Sequence, residues 1–154
     1  MPPPSQKISS VFFIAVCLLT SLACTLSRTP ATFPLNVRLT NRINQAYEAQ
    51  EKAAALWDRV LFGETVSCAE TLDSPRLFEL SASEAAQEPL SVPVRDHLNA
   101  ALIALHEATL LWENECKYTS PIVSIDIMRR AENFVAAAKT ELAQASTDWR
   151  VWQP

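Results

Sequence analysis

The chain predicts an all-α fold: a small helical bundle of three long helices plus a crossover segment with a short helix, closed by one disulfide. Three observations predict it. The 154 residues hold a single glycine, Gly63, so tight hairpin turns and phosphate loops have little to build on. Three long segments carry apolar residues at helical spacing, and proline punctuates the stretches between them. Cys68 and Cys116 follow or close two of those segments, where one bond would tie two helix ends together.

At the N-terminus, Lys7 precedes the apolar run Val11 to Leu19, VFFIAVCLL, and Ser21-Leu22-Ala23-Cys24 closes it. A basic start, a short apolar middle and a small-residue cleavage site make an export signal of residues 1–23. A spanning helix needs about 20 mostly apolar residues, and Ser9, Ser10, Thr20 and Ser21 leave this run short of that. The expected compartment is therefore outside the cytoplasm.

Leu18-Leu19-Thr20-Ser21-Leu22-Ala23-Cys24 resembles the lipobox of the bacterial lipoprotein class. That resemblance implies that Cys24 is acylated, becomes the first mature residue and tethers the protein to a membrane. It covers the signal alone, and Ser21 and Leu22 stand where the usual pattern has Leu and a small residue. Cysteine arithmetic points the same way. Cys17 departs with the signal, and lipid on Cys24 would leave Cys68 and Cys116 as an even pair in an oxidising space. The alternatives are soluble secretion and an uncleaved signal anchor.

Residues 24–40 contain Pro30 and Pro34 without helical periodicity and read as the anchor Cys and a semi-extended tether. The bundle domain is expected over 41–154. Thr40 or Asn41 would cap a first helix from about Arg42 to Leu61, with Ile43, Ala46, Tyr47, Ala53, Ala54, Trp57, Val60 and Leu61 on one stripe. Gln50 falls near the centre of that stripe and should have a hydrogen-bonding partner. Phe62-Gly63 ends the helix. Residues 64–93 form an irregular crossover, packed through Leu77, Phe78, Leu80, Leu90 and Val92, in which Ser81 and Glu84 have capping-box spacing for a short helix through Gln87.

A third helix is expected from about Val94 to Cys116, with Val94, Leu98, Ala101, Leu102, Leu105, Ala108, Trp112 and Cys116 on its main stripe. Ile103 and Leu110 lie off that stripe, and Leu77, Phe78 or Leu80 should cover them. After Ser120-Pro121, Ser124 would cap a fourth helix, Val123 would staple to Met128, and a short aromatic tail, Trp149 to Trp152, would follow. A Cys68–Cys116 bond would place helices one and three roughly parallel, with helix four antiparallel to helix three.

Catalytic and metal motifs are not found. His106-Glu107 lacks the second His of a zinc-protease motif, because residue 110 is Leu110. Neither His97 nor His106 has a Glu three residues earlier, and no Cys-x-x-Cys-His occurs. Both His read as solvated or capping side chains, and no cofactor or metal is expected. With 13 basic and 17 acidic residues, the net charge of −4 weighs against nucleic acid or anionic lipid as partners. The expected function is a membrane-tethered extracytoplasmic module, not an enzyme, that interacts with or supports another envelope protein. A small-molecule binder with a cleft lined by Trp57 and Trp112 comes second. An enzyme of unknown class comes third.

Overall fold

The computed structural model describes residues 34–117 and 123–153. The export segment, Cys24 with the tether to residue 33, and Ser120-Pro121 lie outside them. Four helices follow one another: α1 Leu35–Leu61, α2 Ala82–Gln87, α3 Ser91–Lys117 and α4 Ile125–Trp152. The all-α class, the three long helices and the short crossover helix are as the sequence predicts, with no strand among the described residues.

The buried faces explain why these segments are helices and how they pair. In α1 the buried series Leu39, Ile43, Ala46, Gln50, Ala53 and Trp57 advances by alternating steps of four and three. So does Val94, Leu98, Ala101, Leu105, Ala108 and Trp112 in α3, and so does Ala131, Val135, Ala138, Leu142 and Ala145 in α4. That spacing is the heptad seam of left-handed helix packing. Alanine recurs every seventh residue in the seams, which lets the helices approach closely. The longest shared interface joins α3 to α4.

Helix α1 starts seven residues before the expected Arg42, so the expected tether boundary at residue 40 is too late. Pro34 sets the entry, and its carbonyl accepts from the Arg38 amide at 3.1 Å. Leu39 is fully buried and extends the stripe of Ile43 toward Leu35. Tertiary burial thus overrides the Pro-rich look of the preceding sequence. The far end of α1 closes in a Schellman motif: Glu64 donates to the Arg59 carbonyl, Gly63 to the Val60 carbonyl, and Gly63 adopts φ 77°. Leu61, expected on the stripe, is exposed beside Phe62 at this terminus.

The Ser81 capping box forms as predicted, with Glu84 N donating to Ser81 Oγ and Ser81 N to Glu84 Oε2. Helix α3 begins at Ser91, three residues earlier than expected. Pro93 lies in its first turn, where a backbone N–H would have no intrahelical acceptor. Ser91 is fully buried, and its hydroxyl donates to the Glu88 carbonyl at 2.6 Å. Ser124 caps α4 as expected, accepting from Ile127 N. The predicted aromatic tail is the last turn of α4: Trp149 and Trp152 meet edge to face at 4.9 Å, and Trp152 Nε1 donates to Glu88 Oε2.

Cys68 and Cys116 are bonded, with a Cα–Cα distance of 5.4 Å. Helices α1 and α3 therefore run parallel, and the Tyr47–Ser146 hydroxyl bond at 2.9 Å registers α4 antiparallel to α1. Helix α3 is buried on one broad face, where Leu102, Ala104 and Thr109 flank the seam, and not on the second side expected at Ile103 and Leu110. Ile103 is 52% exposed, Leu110 is half-buried, and Leu77 is itself exposed, so the crossover does not cover that line. Phe78 instead turns into the core, beside Asn99.

Candidate functional site

The disulfide end of the bundle brings both predicted tryptophans together. Trp57 on α1 and Trp112 on α3 sit at matching seam positions, and their rings meet edge to face at 5.9 Å and 85°. Trp112 Nε1 donates to the Glu70 carbonyl at 2.8 Å. The Glu70 carboxylate receives both terminal nitrogens of Arg59, at 2.8 and 3.0 Å, while Arg59 Nε reaches Glu64 at 3.2 Å. The hydrogen bonds from Arg59 hold the Glu70 carboxyl below its ordinary value and raise the guanidinium in return. Arg59 is thus taken by Glu64 and Glu70.

Trp57 lines an open cleft of about 270 Å³ between α1 and α4, with Gln50, Ala54 and Asp58 on one side and Glu132, Val135, Ala136 and Lys139 on the other. Gln50 is 7% exposed, and the side-chain partner expected for it is not among the hydrogen bonds of the described residues. Trp57 is 2% exposed, and its Nε1 is the buried side-chain polar atom without a hydrogen-bond partner among the described residues. An unmet buried donor costs about 1–3 kcal/mol. The Trp57 indole nitrogen is thus the one unmet buried side-chain donor at this cleft among the described residues.

A second, larger groove of about 550 Å³ opens between the start of α1 and the crossover, lined by Arg38, Asn41, Arg42, Gln45 and the run Arg76 to Glu79. Arg38 is fully engaged: it pairs with Glu84, donates to the Glu79 carbonyl and lies 5.2 Å from the Phe78 ring centroid. The Ser81 amide and hydroxyl, followed by Arg38, hold the Glu84 carboxyl below its ordinary value. Arg42 bonds to the neutral Gln45, and Arg76 has no ion pair among the described residues. Sequence spacing could not assemble this groove, because its walls lie more than thirty positions apart.

The histidines are less idle than expected. His97 on α3 places Nδ1 2.7 Å from Glu141 and Nε2 3.7 Å from Asp148, two carboxylates one heptad apart on α4. His106 bonds through Nδ1 to Ser74 at 2.9 Å. No cluster of three or more potential metal ligands occurs among the described residues. No described helix is long and apolar enough to cross a membrane. Cys24 lies outside the described residues. No family model, curated protein or solved structure matches the chain.

Proposed function

We propose that this chain is an exported, membrane-tethered helical module that acts by binding a partner protein in the cell envelope, without catalysis. Residues 1–23 act as the signal and acylated Cys24 as the anchor. The observation that carries the reading is the Cys68–Cys116 bond. Such bonds persist in oxidising compartments. It also uses up the two domain thiols, so that Cys24 is the cysteine left over once the signal and Cys17 are removed. The interaction role is supported by large apolar side chains exposed on the described surface, Phe62, Ile125 and Val151 foremost. The test is Cys24→Ser. The variant should leave the membrane fraction and lose the mass of the acyl chains. A wild-type protein without acyl mass overturns the anchor.

A second reading, a small-molecule binder, is favoured by the unpaired Trp57 Nε1 and buried Gln50 at the α1–α4 cleft. A ligand there should raise the melting temperature with the logarithm of ligand excess, and Gln50→Ala should abolish the shift.

A further inference from the structure

We infer that the groove between α1 and the crossover binds the headgroup of an anionic phospholipid and seats the bundle on the bilayer that its anchor enters. The inference rests on the tether reading for its geometry and on the groove for its chemistry. Arg42 and Arg76 offer two guanidiniums that no carboxylate of the described residues neutralises. Arg38, the third cation of the groove, is taken by Glu84; elsewhere Lys52 pairs with Asp73, Arg59 with Glu70 and Arg95 with Asp96, and cations without an ion pair among the described residues, such as Arg130, Lys139 and Arg150, lie outside the groove wall. Glu79 is the one acid in the groove wall. The whole-chain charge of −4 therefore does not describe this groove.

Guanidinium suits phosphate because its planar fork donates two parallel hydrogen bonds to two oxygens. Asn41 and Gln45 add neutral amides along the same α1 wall. Leu77, 51% exposed, stands beside Arg76, so an apolar side chain adjoins the charged one. A free phosphate would have no use for it, whereas a lipid brings an acyl chain next to its phosphate.

Position favours the bilayer as the source. The groove lies at the start of α1, which begins eleven positions after Cys24. Eleven residues reach at most about 40 Å even when fully extended. The anchor thus confines this end of the bundle to the membrane surface, where a local Arg pair meets lipid at high effective concentration. Two weak signals together hold a protein to a bilayer better than either alone.

The experiment uses the mature chain from residue 24 carrying Cys24→Ser, so that no acyl group contributes. It is mixed with vesicles of phosphatidylcholine alone or of phosphatidylcholine with phosphatidylglycerol. Binding is expected to the anionic vesicles only, and to weaken with added salt. Each cation near a charged surface contributes about fivefold, so Arg42→Ala with Arg76→Ala should lower the partition coefficient roughly 25-fold. Arg42→Lys with Arg76→Lys should fall between, since the charges stay and the bidentate forks go, and Arg129→Ala with Arg130→Ala should leave it unchanged. Circular dichroism of every variant checks that the helices are intact. Equal binding to both vesicle types, no binding, or an unaffected Arg42→Ala, Arg76→Ala variant overturns the proposal. So does saturation by inorganic phosphate without vesicle binding, which would make the groove a soluble-anion site. Because the probe carries no lipid, these outcomes are independent of the acyl mass of the wild-type protein.

Discussion

Asn99 on α3 holds both backbone groups of Phe78 in the crossover: the Phe78 amide donates to Asn99 Oδ1 at 2.7 Å, and Asn99 Nδ2 donates to the Phe78 carbonyl at 3.0 Å. The side-chain amide does for one residue what a neighbouring strand would do. It lets Phe78 enter the core while its backbone remains hydrogen-bonded. The crossover has no regular structure from Ser74 to Leu80, so this clamp and the Arg38 contacts with Glu79 and Glu84 fix its path.

Asn99→Ala should therefore destabilise by about 1–3 kcal/mol, since it leaves two partly buried backbone groups unpaired. Asn99→Asp keeps the acceptor and loses the donor, and should fall between. Urea unfolding measures both, and a loss below about 0.5 kcal/mol for the alanine variant would mean that water replaces the clamp.

Thiol alkylation of the exported protein without reductant should label neither Cys68 nor Cys116. Replacing both by Ser removes a 48-residue closure and should lower stability by up to about 4 kcal/mol in the chain-entropy account. Free reactivity at both positions would contradict the parallel placement of α1 and α3.

The tryptophan pair offers an internal comparison. Trp112→Phe removes a hydrogen bond to the Glu70 carbonyl, while Trp57→Phe removes a donor that has no partner. Both keep an aromatic ring at the edge-to-face contact. Trp112→Phe should be the more costly by about 1 kcal/mol. The reverse order would mean that the Trp57 indole nitrogen is satisfied in solution.

Acid should weaken the protein through Glu70 and Glu84. Hydrogen bonds from Arg59 depress the first, and those from Ser81, then Arg38, depress the second. A carboxyl depressed in the folded state contributes fully above its unfolded value, near about 4.3, and loses that contribution as pH falls through the lower folded value. Urea midpoints should fall below about pH 4.5, and Glu84→Gln should flatten that limb. An unchanged acid limb in Glu84→Gln would remove Glu84 from the account.

Periodicity alone located the seams of α1 and α3, because burial every 3.5 residues writes itself into hydropathy. Ser81 and Ser124 were legible for the same local reason: capping is a contact within four residues. The start of α1 was not, since Leu39 is buried by elements distant in sequence. Ile103 shows the limit of pattern from the other side. Its size and spacing suggested a covered line, yet it stands 52% exposed, so Ile103→Ala should change stability by less than about 0.5 kcal/mol, whereas Leu102→Ala should cost about 2–5. At the site, the meeting of Trp57 and Trp112 followed from the cysteine pairing. The Gln50 cleft and the His97 pairing with Glu141 needed the register of α4, which residue spacing does not encode.

The Cys68–Cys116 bond also decides what a protease could do to this chain. The segment between the two cysteines includes the exposed irregular crossover, the natural place for a cut. A single nick there separates the sequence into two pieces, with Cys68 on one and Cys116 on the other. The bond keeps the pieces joined, and both halves of the seam between α1 and α3 stay at high effective concentration. A clipped molecule would thus hold its C-terminal helices on the same N-terminal piece, and only reduction together with cleavage would shed them.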